Sequence, residues 1–176
     1  PSIVLSYGDT YEINSQSKIT RRHYAYIPDI QNRQNQPIGS IIKYFMTACS
    51  FIYSPTVCLR KNTLVKIGGF VQPEYIPSVD FTTWFRMALE GEFGYIPEVL
   101  GYWRRHIQNI SLQEDFNLIQ GAIKYSQDFI DKYRHQIESL HIDINIEKLK
   151  SGLAGLSITA INKKDYNMAL HHLEIG

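Results

Sequence analysis

The start of the chain carries the pattern that most restricts its fold. Ile3, Val4 and Leu5 are consecutive apolar residues within a segment, residues 2–7, that predicts a strand. Strands with apolar residues on both faces occur mainly where helices cover both sides of a sheet, as in α/β domains. We therefore predict a buried central strand here. Because a domain seldom opens on its central strand, we also expect this sequence to be a fragment of a longer protein.

Extended and helical patterns alternate as far as Trp103. Gly68 and Gly69 suit the end of a helix, and Phe70 after them is predicted to anchor the turn by packing. The patterns predict a hairpin over residues 10–13 and 18–26, a polar loop over 28–37, helices over 38–46, 61–67 and 80–90, and extended segments over 51–59, 93–96 and 99–103. This alternation predicts an α/β fold.

Helical patterns alone follow Ser111. Ser111 and Glu114 have the spacing of a capping box, and a long apolar stripe follows them. The stripe consists of Phe116, Ile119, Ile123, Ile130, Tyr133 and Ile137. Two further helices, predicted over residues 146–161 and 165–175, resemble one tetratricopeptide-type hairpin. We therefore divide the chain into an α/β part, residues 1–111, and an α-helical extension, residues 112–176.

Composition argues against several classes of function. The 18 Lys and Arg residues nearly balance the 17 Asp and Glu residues, so no nucleic-acid partner is indicated. No apolar run approaches the ~20 residues of a transmembrane helix, and no leader pattern opens the sequence. Cys49 and Cys58 lack the spacing of a zinc or redox site. We predict that both are reduced and buried, as in a cytoplasmic protein.

The densest group of polar residues lies between positions 78 and 111. It contains Asp80 and Trp84 on a predicted helix and, after a strand, the consecutive residues Arg104, Arg105 and His106. A carboxylate at a helix start is often only a cap, and a Trp at helical spacing is often only a core residue. The three basic residues form either a solvated surface cluster or a site for an anion such as phosphate.

The order of these segments resembles a known enzyme family. Residues 2–111 resemble the C-terminal half of the glycosyltransferase family 2 domain, which has the GT-A fold. The resemblance rests on Tyr7-Gly8-Asp9, Gly68-Gly69-Phe70, Asp80-x-x-x-Trp84-x-Arg86, Gly94-Tyr95-Ile96-Pro97-Glu98 and Tyr102-x-Arg104-x-His106-x-x-Asn109-x-Ser111. It implies an incomplete mixed sheet with helices, namely the acceptor-side half of a nucleotide-diphospho-sugar transferase.

The family resemblance also implies an activity and a set of site residues. A sugar would move from a nucleotide-sugar donor to a hydroxyl of a saccharide, lipid-linked or protein acceptor, with inversion. Asp80 would be the general base that removes the acceptor proton. A divalent Mg²⁺ or Mn²⁺ ion would stabilise the departing diphosphate. The candidate substrate-binding residues are Trp84, Tyr102, Arg104, Arg105 and His106, and His106 is also a candidate metal ligand.

Two departures from the family pattern bear on activity. Val79 replaces the usual Glu before the base, and Thr82 replaces a second Asp. The Asp-x-Asp motif of the donor half does not precede residue 2, so we expect the chain alone to be inactive. We expect a role in polysaccharide biosynthesis, in the cytoplasm or peripherally at the inner membrane face. The alternatives are a non-catalytic scaffold that binds proteins through the helical extension and a binding domain for an anionic ligand.

Overall fold

The computed structural model describes residues 2–25, 35–48, 51–110 and 115–141. Within these ranges the chain is a mixed α/β structure with a five-stranded sheet, so the predicted fold class is confirmed at that level. Other predictions fall outside the described residues. These are the burial of Cys49, the capping box at Ser111 and Glu114, most of the polar loop, and the two helices over 146–161 and 165–175 with their hairpin.

The sheet is built around its first strand. Its strands are β1 (Ile3–Ile13), β2 (Ile19–His23), β3 (Asn35–Gln36), β4 (Cys58–Leu59) and β5 (Glu92–Arg104). The order is β2-β1-β5-β3, and β4 also pairs with β1. β1 is antiparallel to β2 and parallel to β5. Val4, Leu5 and Tyr7 are buried, which confirms the predicted central strand.

Strand β5 is one long strand rather than the two segments that the sequence predicts. Ile96 pairs with Gly8 and Val99 pairs with Asp9, so Pro97 and Glu98 have no partner on β1. Pro cannot donate to a ladder and is tolerated in a sheet mainly at bulges or edges. A bulge at Pro97 therefore lets the strand continue where the sequence predicts a break.

Four α-helices are present among the described residues. They are α1 (Ile42–Ala48), α2 (Lys61–Lys66), α3 (Val79–Ala88) and α4 (Asp115–Ser139), and the chain crosses between the parallel strands β1 and β5 through the first three. The segment 51–59, predicted to be extended throughout, instead holds a 3₁₀ turn over Ser54–Thr56 before the short β4. Pro55 favours this turn because its fixed φ suits a helical first turn.

The end of α2 follows the prediction, but the residue after it does not. Gly68 and Gly69 have φ values of +90° and +88°, and the Gly69 N–H donates to the Leu64 carbonyl at 2.8 Å. Glycine adopts this left-handed conformation without the steric penalty of a side chain. Phe70 was predicted to be a packing anchor, yet 59% of it is exposed. That prediction is wrong, because the ring lies at the rim of an open cavity.

The hydrophobic core joins three helices to the sheet through aromatic rings. Phe85 of α3 lies 5.2 Å from Phe45 of α1 and 4.9 Å from Phe129 of α4, measured between ring centroids. Ile123 and Ile137 of the predicted stripe are buried, as expected. Tyr125 and Phe129 also enter the core although the stripe omitted them. The described part of the helical extension therefore shares one core with the α/β part.

Two further findings concern the surface and the membrane. Cys58 is exposed on β4, so the prediction that it is buried is wrong. It lies on a short strand that pairs with the sheet through two residues only. Of the helices that the structure describes, none has both the length and the apolar character required to cross a bilayer.

Candidate functional site

An open cavity of about 890 Å³ lies beside the amino end of α3. Residues from the segment 52–59, the loop 70–78, α3 and α4 form its walls, together with Trp103 of β5 and Ile110. Most of the described lining side chains are apolar or aromatic. Asp80 is the one charged side chain among them. A carboxylate in such surroundings is a candidate for binding or proton transfer.

The Asp80 carboxylate is held by three hydrogen bonds. Its Oδ1 accepts from the Ser78 hydroxyl at 2.6 Å and from the Phe81 N–H at 2.8 Å. Its Oδ2 accepts from the Ser54 hydroxyl at 2.5 Å. An ionised carboxylate has about four acceptor positions, so Oδ2 retains capacity for one more donor. The carboxylate thus accepts from a backbone N–H at the start of α3 and can still accept a proton or hydrogen bond from a ligand.

Buried hydroxyls fix the loop of the cavity to α3. The Val71 N–H donates to the Thr83 Oγ1 at 2.9 Å, and the Thr82 hydroxyl donates to the Val71 carbonyl. Both Thr side chains are fully buried. Pairing of such buried groups avoids the cost of leaving a backbone polar group without a partner. The loop that carries Phe70 therefore has a defined position against the helix that carries Asp80.

The same contacts show what occupies position 82, where the chain differs from the motif that it resembles. Thr82 stands where the resemblance would place a second Asp, and its hydroxyl is fully buried against the Val71 carbonyl. A carboxylate there would place negative charge beside a carbonyl oxygen in a buried position, which is unfavourable. Val79, at the other departure, is partly exposed and lines the cavity. The wall beside Asp80 is therefore apolar at position 79.

Trp84 is both a core residue and a wall of the cavity. Only 3% of it is exposed, which fits the core interpretation offered by its helical spacing. It also lines the cavity, four residues after Asp80 on the same helix. Its indole N–H is buried and has no hydrogen-bond acceptor among the residues that the structure describes. Such an unpaired buried donor is uncommon in folded proteins and calls for an explanation.

Aromatic rings form a second wall, from β5 and from the residue before the 3₁₀ turn. Trp103 lies 6.3 Å from Tyr53 and 5.7 Å from His23, measured between ring centroids. Trp103 and Tyr53 both line the cavity, and Phe70 lies on its rim. Aromatic faces of this kind stack well on apolar surfaces, including the apolar face of a sugar ring.

Arg104 lies at the end of β5 and bonds to the turn between β1 and β2. Its Nη1 donates to the carbonyls of Asn14 and Ser15, at 2.8 and 3.2 Å, and its Nη2 donates to the Ser17 hydroxyl at 3.0 Å. These contacts hold the Arg104 side chain on the hairpin turn. They fit the surface cluster, the first of the two alternatives for the three basic residues. It is not among the described residues that line the cavity.

Arg105 belongs to a polar group centred on Glu12. Glu12 Oε2 lies 3.1 Å from His23 Nε2 and 3.3 Å from Arg105 Nη1, and its Oε1 accepts from the Thr20 hydroxyl. The bond from Thr20, reinforced by His23 and Arg105, holds the pKa of Glu12 below its ordinary value of 4.5. The Arg105 guanidinium also lies 5.8 Å from the centre of the Trp103 ring. Arg105 therefore lies against a residue that lines the cavity, but it is not itself among the described lining residues.

Tyr102 and His106 face solvent. Tyr102 is 58% exposed, with its ring 6.0 Å from that of Tyr11. The backbone N–H of His106 donates to the Asn109 side chain, and the residue itself is exposed. No three His, Cys, Asp or Glu side chains of the described ranges are grouped so that they could hold a metal ion. We derive no step through the divalent ion that the resemblance implies.

Sequence reasoning missed the side chains that complete the Asp80 site. Ser54 lies 26 residues before Asp80 and sits on the unpredicted 3₁₀ turn, so no local pattern signals its bond to the carboxylate. Trp103 occupies the unspecified position between Tyr102 and Arg104 in the motif, so the motif gives no signal for it. Tyr75 was also missed: its hydroxyl donates to Asp128 at 2.8 Å and joins the loop to α4. Burial, together with that bond, raises the pKa of Tyr75 to about 12.

Comparison with known proteins adds no identification. No protein-family model matches the chain, and no curated protein is significantly similar to it. The resemblance to glycosyltransferase family 2 therefore stays a prediction from short motifs.

Proposed function

We propose that this chain forms the acceptor side of a sugar-transfer site, in which Asp80 acts as the general base. The observation that carries the proposal is the placement of Asp80. Its carboxylate is the one charged group among the described residues of the cavity, and its Oδ2 has an acceptor position left for a ligand. Trp84 and Trp103, which both line the cavity, offer apolar surface for a sugar or its aglycone.

The proposed reaction needs one proton transfer on this side of the site. The acceptor hydroxyl gives its proton to Asp80 as its oxygen attacks the anomeric carbon of the donor sugar. The bond between that carbon and the diphosphate oxygen breaks, and its electron pair leaves with the nucleoside diphosphate. Ser54 and Ser78 hold the carboxylate in one orientation, so little reorganisation is needed when the proton moves.

Positive charge must meet the departing diphosphate. We assign this part to Arg105, because its guanidinium lies beside the cavity residue Trp103 and Glu12 accepts from one of its nitrogens. A guanidinium has five N–H donors, which leaves Arg105 the capacity to bind phosphate oxygens. Arg104 is less suited, since two of its nitrogens already donate to the hairpin turn.

The test compares Asp80→Asn with Asp131→Asn in the natural protein that carries this sequence. Asp131 is an exposed carboxylate on α4 whose side chain pairs with Arg134, so it is a matched control. We expect Asp80→Asn to lower turnover at least ~100-fold, because amide replacement removes the base. Turnover is measured as release of nucleoside diphosphate from UDP-, GDP- and dTDP-sugars with Mn²⁺ or Mg²⁺. Asp131→Asn should match the unsubstituted protein.

Calorimetric titration of UDP, GDP and dTDP distinguishes the role of Asp80, the base, from that of Arg105, the cationic group. Asp80→Asn should leave nucleotide affinity nearly unchanged, whereas Arg105→Ala should lower it. Near-normal turnover of Asp80→Asn would remove that residue from the mechanism. Release of no diphosphate from any of the donors by the unsubstituted protein would argue against sugar transfer altogether.

A further inference from the structure

Basic side chains from two distant segments meet at one end of the sheet. The tripeptide Arg-Arg-His occurs twice in the sequence, at positions 21–23 on β2 and 104–106 at the end of β5. Strand β1 lies between β2 and β5, and Ile13 pairs with Ile19 on one side and with Arg104 on the other. The fold therefore gathers five cations here, which we call the basic patch: Lys18, Arg21, Arg22, Arg104 and Arg105.

The charge of the chain is distributed unevenly. Segments 13–25 and 99–110, which carry the basic patch, contain these five Lys and Arg residues and no Asp or Glu. The rest of the sequence holds the other 13 Lys and Arg residues against all 17 Asp and Glu residues. The formal net charge of +1 conceals this separation. A patch of one sign attracts an oppositely charged surface even when the net charge is small.

The acidic side chains that contact the patch are buried and already paired. The Asp9 carboxylate is 1% exposed and lies 2.8 Å from the Arg22 guanidinium. Glu12, which faces Arg21 across the ladder, is 12% exposed and lies 3.3 Å from Arg105. The five cations outnumber these two acids, so the patch keeps a positive charge. The members that carry it to the surface are Lys18, Arg21 and Arg104, all of which are exposed.

The turn after β5 presents an apolar side chain beside these charges. Ile107 is 87% exposed, more than any other large apolar residue that the structure describes, and Ile110 is 60% exposed. The turn has a fixed shape, since the Asn109 N–H donates to the His106 carbonyl at 3.0 Å and the Asn109 side chain donates to the Arg104 carbonyl at 3.1 Å. Contact of aliphatic side chains with water is unfavourable, and an apolar medium would remove it.

This combination of charge and aliphatic surface is complementary to an anionic lipid bilayer. Lys and Arg are attracted to anionic headgroups, aliphatic side chains enter the boundary between headgroups and acyl chains, and Tyr favours the headgroup level. Tyr24 and Tyr102 are 62% and 58% exposed, and the Arg22 guanidinium lies 4.7 Å from the centre of the Tyr24 ring. An acidic protein or a nucleic acid would match the charges but has no acyl region to receive Ile107.

We propose that the basic patch and the turn after β5 form a peripheral contact with an anionic membrane. In this contact Ile107 enters the boundary between headgroups and acyl chains, and Lys18 and Arg21 bind lipid phosphates. Membrane contact does not depend on the transfer reaction proposed above. Ile110 also lines the cavity, so the contact would bring the cavity beside the bilayer, where a lipid-linked acceptor is held.

The test is co-sedimentation of the natural protein that carries this sequence with sucrose-loaded vesicles. Vesicles of phosphatidylcholine alone are compared with vesicles that also contain about 30 mol% phosphatidylglycerol. We expect a partition coefficient at least ~10-fold higher for the anionic vesicles at about 0.1 M salt. The difference should shrink as the salt concentration rises to about 0.5 M, because exposed charges are then screened.

Paired charge variants locate the contact. Lys18→Gln combined with Arg21→Gln should lower the partition coefficient on anionic vesicles at least ~10-fold. The control, Lys61→Gln combined with Lys132→Gln, removes the same charge at exposed positions of α2 and α4 and should change the coefficient less than ~2-fold. All four positions are exposed, so the melting temperatures of both double variants should stay close to that of the unsubstituted protein.

A second pair of variants tests the apolar part of the contact. Ile107→Ser should lower the partition coefficient at least ~3-fold by removing aliphatic surface from the bilayer. Val65→Ser is the control, because Val65 is 67% exposed on α2. This helix begins after Arg60, whose N–H donates to the Val4 carbonyl at the opposite end of β1. Val65→Ser should leave the coefficient unchanged.

The other results would each overturn the proposal. Equal binding to neutral and anionic vesicles would exclude recognition of charge, and equal effects of the patch variants and their controls would place any membrane contact elsewhere in the protein. Loss of binding with the charges but not with Ile107→Ser, together with tight binding of poly(U), would assign the patch to nucleic acid. Absence of vesicle binding together with loss of turnover in Asp80→Asn would sink this inference and leave the transfer reaction standing.

Discussion

Asp80 and Arg104 each form three hydrogen bonds, but the bonds leave the two side chains in different positions. Asp80 keeps an acceptor position beside a cavity, whereas Arg104 directs the donors of two nitrogens into the turn between β1 and β2. We refer to the surroundings of Asp80 as the cavity region and to residues 102–106 as the β5 end. A polar residue whose partners lie in its own fold stabilises that fold, and one with spare capacity beside a cavity is available to a ligand.

The two regions also differ in what holds them. The cavity region depends on close packing of helices and a loop, with buried hydroxyls and aromatic rings at the contacts. The β5 end depends on exposed or partly exposed hydrogen bonds and an ion pair. Buried contacts of the first kind cost more to disturb than exposed contacts of the second kind. Substitutions should therefore have larger effects in the cavity region.

The largest effect on stability is expected at Gly121, where α4 approaches the loop of the cavity. A Cβ at this position would lie 2.7 Å from the Ile76 Cβ and 2.8 Å from the Tyr75 carbonyl oxygen. Neither is the end of a flexible side chain, so Gly121→Ala must displace the loop and should cost about 2 kcal/mol, despite the higher helix propensity of Ala. Chemical denaturation measures this change in the free energy of unfolding.

The control for Gly121 is Gln127→Ala, at an exposed position of the same helix. It should shift the free energy of unfolding by less than ~0.5 kcal/mol. A variant as stable as the unsubstituted protein would mean that the loop yields easily and that the cavity region is not held by close packing.

A smaller effect is expected at the β5 end. Arg104→Ala removes three exposed hydrogen bonds to the hairpin turn and should lower the free energy of unfolding by about 1 kcal/mol. Arg134→Ala, which breaks only an exposed pair within α4, is the matched control and should cost under ~0.5 kcal/mol. Loss of nucleoside diphosphate affinity in Arg104→Ala without loss of stability would instead support the anion site that the sequence suggested.

The contrast between the regions also shows what the sequence could predict. Asp80 and Trp84 lie four residues apart on one helix, so local periodicity was sufficient to place them on one face. The partners of Arg104 lie about 90 residues earlier, and they meet it because Ile13 pairs with Arg104 in the parallel ladder. No local sequence pattern indicates the register between distant strands, particularly when a bulge at Pro97 shifts that register. The role of Arg104 therefore required the structure.

The same reasoning applies to the remaining elements. The ends of α2 and α3 followed from residues close in sequence, such as Gly68 and Gly69. Phe70 and Cys58 were assigned to the interior because their residue types are usually buried, but burial depends on what packs against a position. The open cavity leaves Phe70 without a covering element among the described residues. Residue type alone could not supply that information.

The smallest effect is expected at Glu12, and it should depend on pH. The bonds from Thr20, His23 and Arg105 lower the pKa of Glu12 in the folded chain below 4.5, its value when unfolded. A carboxyl group with a depressed folded pKa contributes stability that is fully present above the unfolded pKa and is lost as the pH falls through the folded pKa. Glu12→Gln should therefore reduce thermal stability at pH 7, by an amount that decreases as the pH falls from 7 to below 4.5.

The measurement is the difference in melting temperature between Glu12→Gln and the unsubstituted protein across this range. Glu138→Gln, at an exposed glutamate of α4, is the control and should change the melting temperature less. A difference that stays constant from pH 7 to pH 3 would mean that the Glu12 group contributes through neutral packing rather than through its charge. The ion pair between Glu12 and Arg105 would then add no charge-dependent stability at the β5 end. The two regions would differ only in how deeply their contacts are buried.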